Sequence, residues 1–202
     1  MRTLIVAGVM VALTVGTAGT VRAADDKPLE TPYYPLKVGN KWTYKAGDAT
    51  KITVQVTKFE EVNKQNLAVL ELTGGPAKSA LVEKVAVKAD GVYRYVAADK
   101  EVKPELRFLA LPPKKDQTWD VMAMVGPEKL KGTFKSGEMD ELKVPAGTYK
   151  NVVTVTGTEF EANGQKLSMT YYFAKDVGMI KQTIKIGGTE VVLELEEFVP
   201  GK

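Results

Sequence analysis

Adjacent acids are the main chemical resource of this sequence: Glu60-Glu61, Asp140-Glu141 and Glu196-Glu197. On a strand, neighbouring side chains point to opposite faces, so the members of such a pair cannot both reach one substrate, and they read as solvated charges. Glu194 and Glu196 would share a face, but their alternation with Leu193 and Leu195 is what a polar outer surface produces. A glycosidase would have to draw its two carboxylates from separated strands. Glu159-Phe-Glu161-Ala-Asn163-Gly164 places oxygen ligands at alternating positions before a glycine, as a calcium loop does, yet Thr170 stands where the closing glutamate belongs. The Asn-Gly pair is accounted for by a hairpin turn.

Histidine and cysteine are both absent. This removes the commonest neutral-pH general base and the usual zinc ligands, and it excludes Ser–His and Cys–His nucleophilic catalysis. The three serines, Ser79, Ser136 and Ser168, lie in no Gly-x-Ser-x-Gly elbow, and no glycine-rich phosphate loop occurs. The composition points to a protein that is not an enzyme, with no cofactor and no metal.

Aromatic residues are the remaining feature with binding potential. Trp42, Tyr44, Tyr93, Tyr95, Trp119, Phe134, Tyr171 and Phe173 fall at alternating positions of extended stretches, so a rolled sheet would gather them on its inner surface. Such rings fill a core, and they also line apolar pockets.

The elements that must position them are strands. Trp42/Tyr44 and Ile52/Val54/Val56 alternate with polar residues about Ala46-Gly47-Asp48, and Gln65 to Thr73 is closed by Gly74-Gly75-Pro76. Ala80 to Lys88 and Val92 to Val96 flank Ala89-Asp90-Gly91, and Asn151 to Phe160 and Gln165 to Ala174 flank Asn163-Gly164. Glu105 to Leu111 fits a short helix or a strand equally well and ends at Pro112-Pro113. Gln117 to Val125, Leu130 to Lys135, a Ser136-Gly137 turn and Met139 to Val144 lead to a corner at Val144-Pro-Ala-Gly-Thr-Tyr149. Met179 to Ile186 and Thr189 to Phe198 close the chain through Gly187-Gly188. The reading is all-β: an antiparallel curved sheet of about ten to twelve strands, forming a half-barrel or barrel.

Two stretches recur in the same order. Pro35-Leu-Lys37-Val-Gly-Asn-Lys-Trp42 matches Pro112-Pro-Lys114-Lys-Asp-Gln-Thr-Trp119 in Pro, Lys and Trp, and Lys88-Ala-Asp90-Gly-Val-Tyr-Arg94 loosely echoes Lys175-Asp-Val-Gly178-Met-Ile-Lys181. A two-fold duplicated meander would produce both.

Arg2, an apolar run from Leu4 to Val15 and small residues ending at Ala23 have the order of a secretory signal peptide. The run is short for a membrane span of roughly 20 residues, and no transmembrane span is expected after cleavage. Removing residues 1–23 takes away Arg2 and Arg22 and no acid, which lowers the net charge from +3 to +1. With Lys and acids interspersed, no basic stripe exists for a nucleic acid. The expected layout is a signal peptide at 1–23, a flexible lead-in at 24–32 and one β domain at 33–200, exported to the periplasm or secreted.

Tyr34-Pro-Leu-Lys-Val-Gly-Asn-Lys-Trp-Thr-Tyr44, Val144-Pro-Ala-Gly-Thr-Tyr149 and Tyr172-Phe-Ala-Lys-Asp-Val-Gly-Met-Ile-Lys181 together resemble secreted bacterial envelope β-proteins of unassigned function. More remotely, the pattern is similar to the half-barrels of periplasmic lipoprotein carriers. That resemblance implies a curved sheet cupping acyl chains and transfers no functional residue. The leading expectation is an exported, non-catalytic β-protein that binds a hydrophobic small molecule or an envelope protein. A purely structural or adhesive envelope module and a carboxylate-dependent glycan hydrolase are the alternatives.

Overall fold

The computed structural model describes residues 29–47, 50–75 and 80–202. The expected signal peptide lies outside the described residues, as do residues 24–28 of the lead-in. Twelve strands are present among those described: β1 Lys41–Ala46, β2 Thr50–Val62, β3 Gln65–Gly74, β4 Leu81–Lys88, β5 Gly91–Ala97, β6 Lys100–Ala110, β7 Thr118–Val125, β8 Glu128–Val144, β9 Gly147–Ala162, β10 Gln165–Ala174, β11 Gly178–Ile186 and β12 Thr189–Val199. Each pairs antiparallel with its sequence neighbour, and β1 pairs with β12, so the sheet closes into a barrel. No described helix is long and apolar enough to cross a membrane.

The turns follow from local chemistry. Asn163 and Gly164 both take positive φ, 49° and 81°, which is the backbone of a two-residue hairpin whose twist matches its strands. Pro145 and Ala146 form the tip of the long β8–β9 hairpin, with Val144 paired to Gly147. That tip turns back on the barrel, where the Ala146 N–H donates to the Leu195 carbonyl at 2.9 Å.

Two expectations are corrected and one open alternative is decided. Ser136-Gly137 is no turn: both residues lie inside β8, paired with Val155 and Thr154. The ambiguous stretch from Glu105 to Leu111 is strand through Ala110, held by pairing with β5. The end of the lead-in is tied down, for Thr31 is buried and the Pro32 carbonyl accepts from the Asp176 N–H at 2.7 Å.

The two sequence echoes land at matching places. Trp42 and Trp119 are each the second residue of β1 and of β7, the first strands of two successive sets of six, and Gly91 and Gly178 each open the fifth strand of a set. The register then diverges. β10–β11 shifts between Tyr172 and Phe173, so Lys181 pairs beside Glu194 on the outside, while Arg94 pairs beside Val85 on the inside.

One seam of the barrel is thin. The β6–β7 ladder consists of only two residue pairs, Val102 with Val125 and Lys103 with Met124. Pro104 follows at once and has no N–H to donate, and the β5–β6 ladder is irregular at the same place. Beyond it the indole N–H of Trp119 reaches across to the Arg107 carbonyl at 2.9 Å.

Candidate functional site

Six of the eight aromatic residues singled out in the sequence do come together. Trp42, Tyr44, Trp119, Phe134, Tyr171 and Phe173 point inward and are buried. Tyr34, Phe108 and Phe160 join them, with ring centroids 5.4 Å apart for Tyr34–Phe108, 5.6 Å for Trp119–Phe134 and 4.7 Å for Phe134–Phe160. Trp42 and Tyr44 satisfy their polar edges from the backbone. Trp42 Nε1 donates to the Val177 carbonyl at 2.6 Å and the Tyr44 hydroxyl to the Met179 carbonyl at 2.9 Å. Burial, and secondarily neighbouring Glu83, pushes the Tyr34 hydroxyl above its ordinary range, so it stays protonated. The packed rings form a floor in the barrel.

Tyr93 and Tyr95 are the exceptions to the expected inner cluster. Tyr93 pairs with Ala86 and Arg107 on the outer face, and both rings lie against Lys88, whose Nζ is 4.5 Å from the Tyr93 centroid and 5.5 Å from that of Tyr95. The alternation places them on one face as expected. It is the other face of β5, carrying Val92 and Arg94, that turns inward.

Phe108, Phe160 and Tyr34 were missed because their local pattern is broken. Phe108 sits in the stretch with no legible period. Phe160 follows Glu159, whose φ is +55°, at an irregularity in the pairing with β8 and β10. Its ring lies over the two glycines Gly132 and Gly157, where a Cβ at Gly157 would stand 2.8 Å from it. Small residues at both positions were the available signal.

Above the floor, toward the end carrying the β11–β12 turn, inward-facing side chains become progressively exposed. Along β10 the order runs from buried Phe173 and Tyr171 to half-buried Met169 and Leu167. Along β11 it runs from buried Ile180 through half-buried Ile184 to Ile186, 44% exposed. Along β12 it runs from buried Leu195 through Leu193 to Val191, 49% exposed. Ile52, Leu72 and Leu81 continue the half-buried apolar wall on β2, β3 and β4. Where wall meets floor sits an inward ion pair: Arg94 Nη2 lies 3.3 Å from Glu83 Oε2, with side-chain exposures of 17% and 16%. The guanidinium stacks on the Phe108 ring with Cζ 4.8 Å from the centroid. Burial opposes its charge, but Glu83 and then Tyr171 and Tyr34 raise its pKa above the ordinary value. Its Nε is buried and has no partner among the described residues. The arrangement is an apolar cup with one cation at its base.

Further hollows open at the surface. A groove of about 1000 Å³ runs along β7, β8, β9 and β10 to the β11–β12 turn; it includes Met122, Lys131, Glu161, Lys166 and Lys185 and reaches the inward side chains Phe160 and Leu167. Two of its three acids are engaged: Asp120 accepts from Thr133 Oγ1 at 2.9 Å and Glu161 pairs with Lys131 at 3.0 Å. Asn163 Oδ1, one oxygen of the calcium-like sequence, accepts from the Lys129 N–H at 3.3 Å. Among the described residues no group of three or more acids could hold a metal ion. A smaller hollow of about 380 Å³ occupies the β6–β7 seam beside Arg107 and Trp119.

No protein-family description matches the chain, and no curated protein matches it. Two solved structures are similar to it. A candidate lipoprotein from Parabacteroides distasonis shares 12% identity with a TM-score of 0.54, over 84% of this chain and 99% of that one. The likeness is one of fold. A candidate exported protein from Bacteroides fragilis, described as having a YmcC-like fold, shares 10% identity with a TM-score of 0.42, over 84% of this chain and 100% of that one.

Proposed function

We propose that this is an exported, non-catalytic β-barrel, periplasmic or secreted, that binds a hydrophobic ligand in the apolar cup above its aromatic floor. The observation carrying the reading is the run of inward-facing Ile184, Ile186, Val191 and Leu193, which a packed core would bury and which here stay half-buried or exposed. Inward apolar side chains left facing water are unfavourable by roughly 25 cal/mol per Å², and a ligand that covers them gains that amount. The six buried rings act as the floor under the ligand. Export is supported by the order of charge, apolar run and small residues before Ala23.

Native mass spectrometry of protein purified from its own envelope, together with titration of a fluorescent lipid, tests the proposal. A co-purifying mass and saturable binding are expected, with binding lost in Ile184→Asn/Leu193→Asn while the far-UV spectrum stays that of a β-protein. A protein that carries no extra mass and ignores the lipid is not a carrier. The outer groove, with Met122 66% exposed at its edge, favours a second reading in which the barrel docks an envelope protein there. Met122→Glu would then abolish cross-linking in whole envelopes and leave lipid titration unchanged.

A further inference from the structure

We propose that the ligand of the cup is a single-chain amphiphile with a carboxylate head, and that Arg94 receives that head at the base of the cup. The inference rests on the hydrophobic-ligand reading above and names the class of ligand.

A guanidinium carries five N–H donors in a rigid fork. In Arg94 the contact with Glu83 is long, at 3.3 Å through Nη2, whereas charge-assisted pairs close to about 2.7–2.9 Å, and the guanidinium also hydrogen-bonds the Tyr171 side chain. The Nε donor has no partner among the described residues. Nε shares one edge of the fork with Nη2, and on that edge the Nε donor is the one Glu83 leaves unused; one oxygen of a planar carboxylate can accept from Nε while the other shares Nη2 with Glu83. The fork is already held in place, its back against the Phe108 ring at 4.8 Å. Little side-chain freedom remains to be lost when a head group arrives.

Position supplies the second half of the argument. Arg94 is paired beside Val85, below Glu83 and Leu81 on β4. On the facing side Gln182 pairs with Tyr171 at the edge of the ring floor, and Ile184 and Ile186 follow toward the open end. Four residues of strand from Gln182 to Ile186 give about 13 Å of wall. A head at Arg94 therefore directs its tail along apolar side chains toward the exit. The inward cation is not required by the repeated architecture, because Lys181, at the echoing place in the second set of strands, lies outside against Glu194 at 2.7 Å. Glu83 also sets the charge of the head. A singly charged carboxylate can share Arg94 with it, whereas a dianionic phosphate would meet the Glu83 carboxylate at close range.

Dodecanoate and dodecanol, which differ only in the head, separate this inference from the reading it rests on. Isothermal titration of the wild-type chain is expected to show dodecanoate bound at least about tenfold more tightly than dodecanol. The neutral pair Arg94→Gln/Glu83→Gln should lose the preference and keep its affinity for dodecanol. Glu83→Gln alone, which removes the competing acceptor, should tighten dodecanoate and leave dodecanol unchanged, so the inference stays testable if the double variant does not fold. Equal binding of both compounds to the wild type, or a preference that survives in the double variant, overturns the role of Arg94 and leaves the hydrophobic cup intact. If neither compound binds the wild type, the cup itself is not a ligand site and both proposals fall.

Discussion

Trp42 and Trp119 show how a single residue type serves two needs in this barrel. Each buries a large ring and places its one N–H on a carbonyl, Val177 for Trp42 and Arg107 for Trp119, so neither leaves an unpaired donor in the core. Replacing either with Ala should cost about 3–5 kcal/mol, the range for truncating a buried large side chain. Thermal unfolding checks it, with Tyr93→Ala as the comparison: that ring sits outside on Lys88 and its loss should shift the melting temperature much less. The inward or outward choice for Tyr93 and Tyr95 was illegible locally. Period two sorts side chains into two faces, but whether rings or Val92 and Arg94 face the core depends on strands far away in the chain. A charged Arg94 beside two tyrosines argues locally for the wrong answer.

At the level of strands, most pairings follow from turn chemistry, and the departures lie where a long-range partner overrides it. Ser136-Gly137 has the composition of a turn, yet β9 supplies partners to both residues and the strand runs through. Two predictions belong here. The alternate amides of residues 105–110 and 118–123 that point into the β6–β7 seam should exchange hydrogen faster than those of the β8–β9 ladder. Equal protection in both would show that the seam is closed. The second prediction concerns Lys58, Glu60 and Lys84, which bridge β2 to β4 over outward-pointing Leu67 and Val69 of β3, with ion-pair distances of 2.7 Å and 2.6 Å. Hydrogen bonds from Lys58 and then Lys84 lower the Glu60 carboxyl from 4.5 to about 2. A lowered carboxylate stabilises the fold above its unfolded-state value, and that contribution disappears as the pH falls through the folded-state value. The urea midpoint of the wild type should therefore fall between pH 4.5 and about pH 2 more steeply than that of Glu60→Gln. Parallel curves would mean that the bridge does nothing.

For the molecule as a whole, alternating β-branched and aromatic residues with Asn-Gly and Gly-Gly turns were enough to determine an antiparallel all-β fold, and the lack of His and Cys bounded its chemistry. These are local properties, since the side-chain period and the φ preference of a turn are set within a few residues. Of the eight rings the sequence placed on the inner surface, Trp42, Tyr44, Trp119, Phe134, Tyr171 and Phe173 share one cluster, and Tyr93 and Tyr95 do not. Closure was another matter. Joining β1 to β12 brings together residues about 150 positions apart by the observed register, such as Tyr44 and Leu195, and no short-range pattern encodes that meeting. Only closure determines how deep each inward residue lies. Closure thereby makes Phe173 floor and Ile186 rim, and it sets Arg94 with Glu83 at the base of an apolar cup, because depth in a barrel is a property of the assembled ring of strands and of no strand alone.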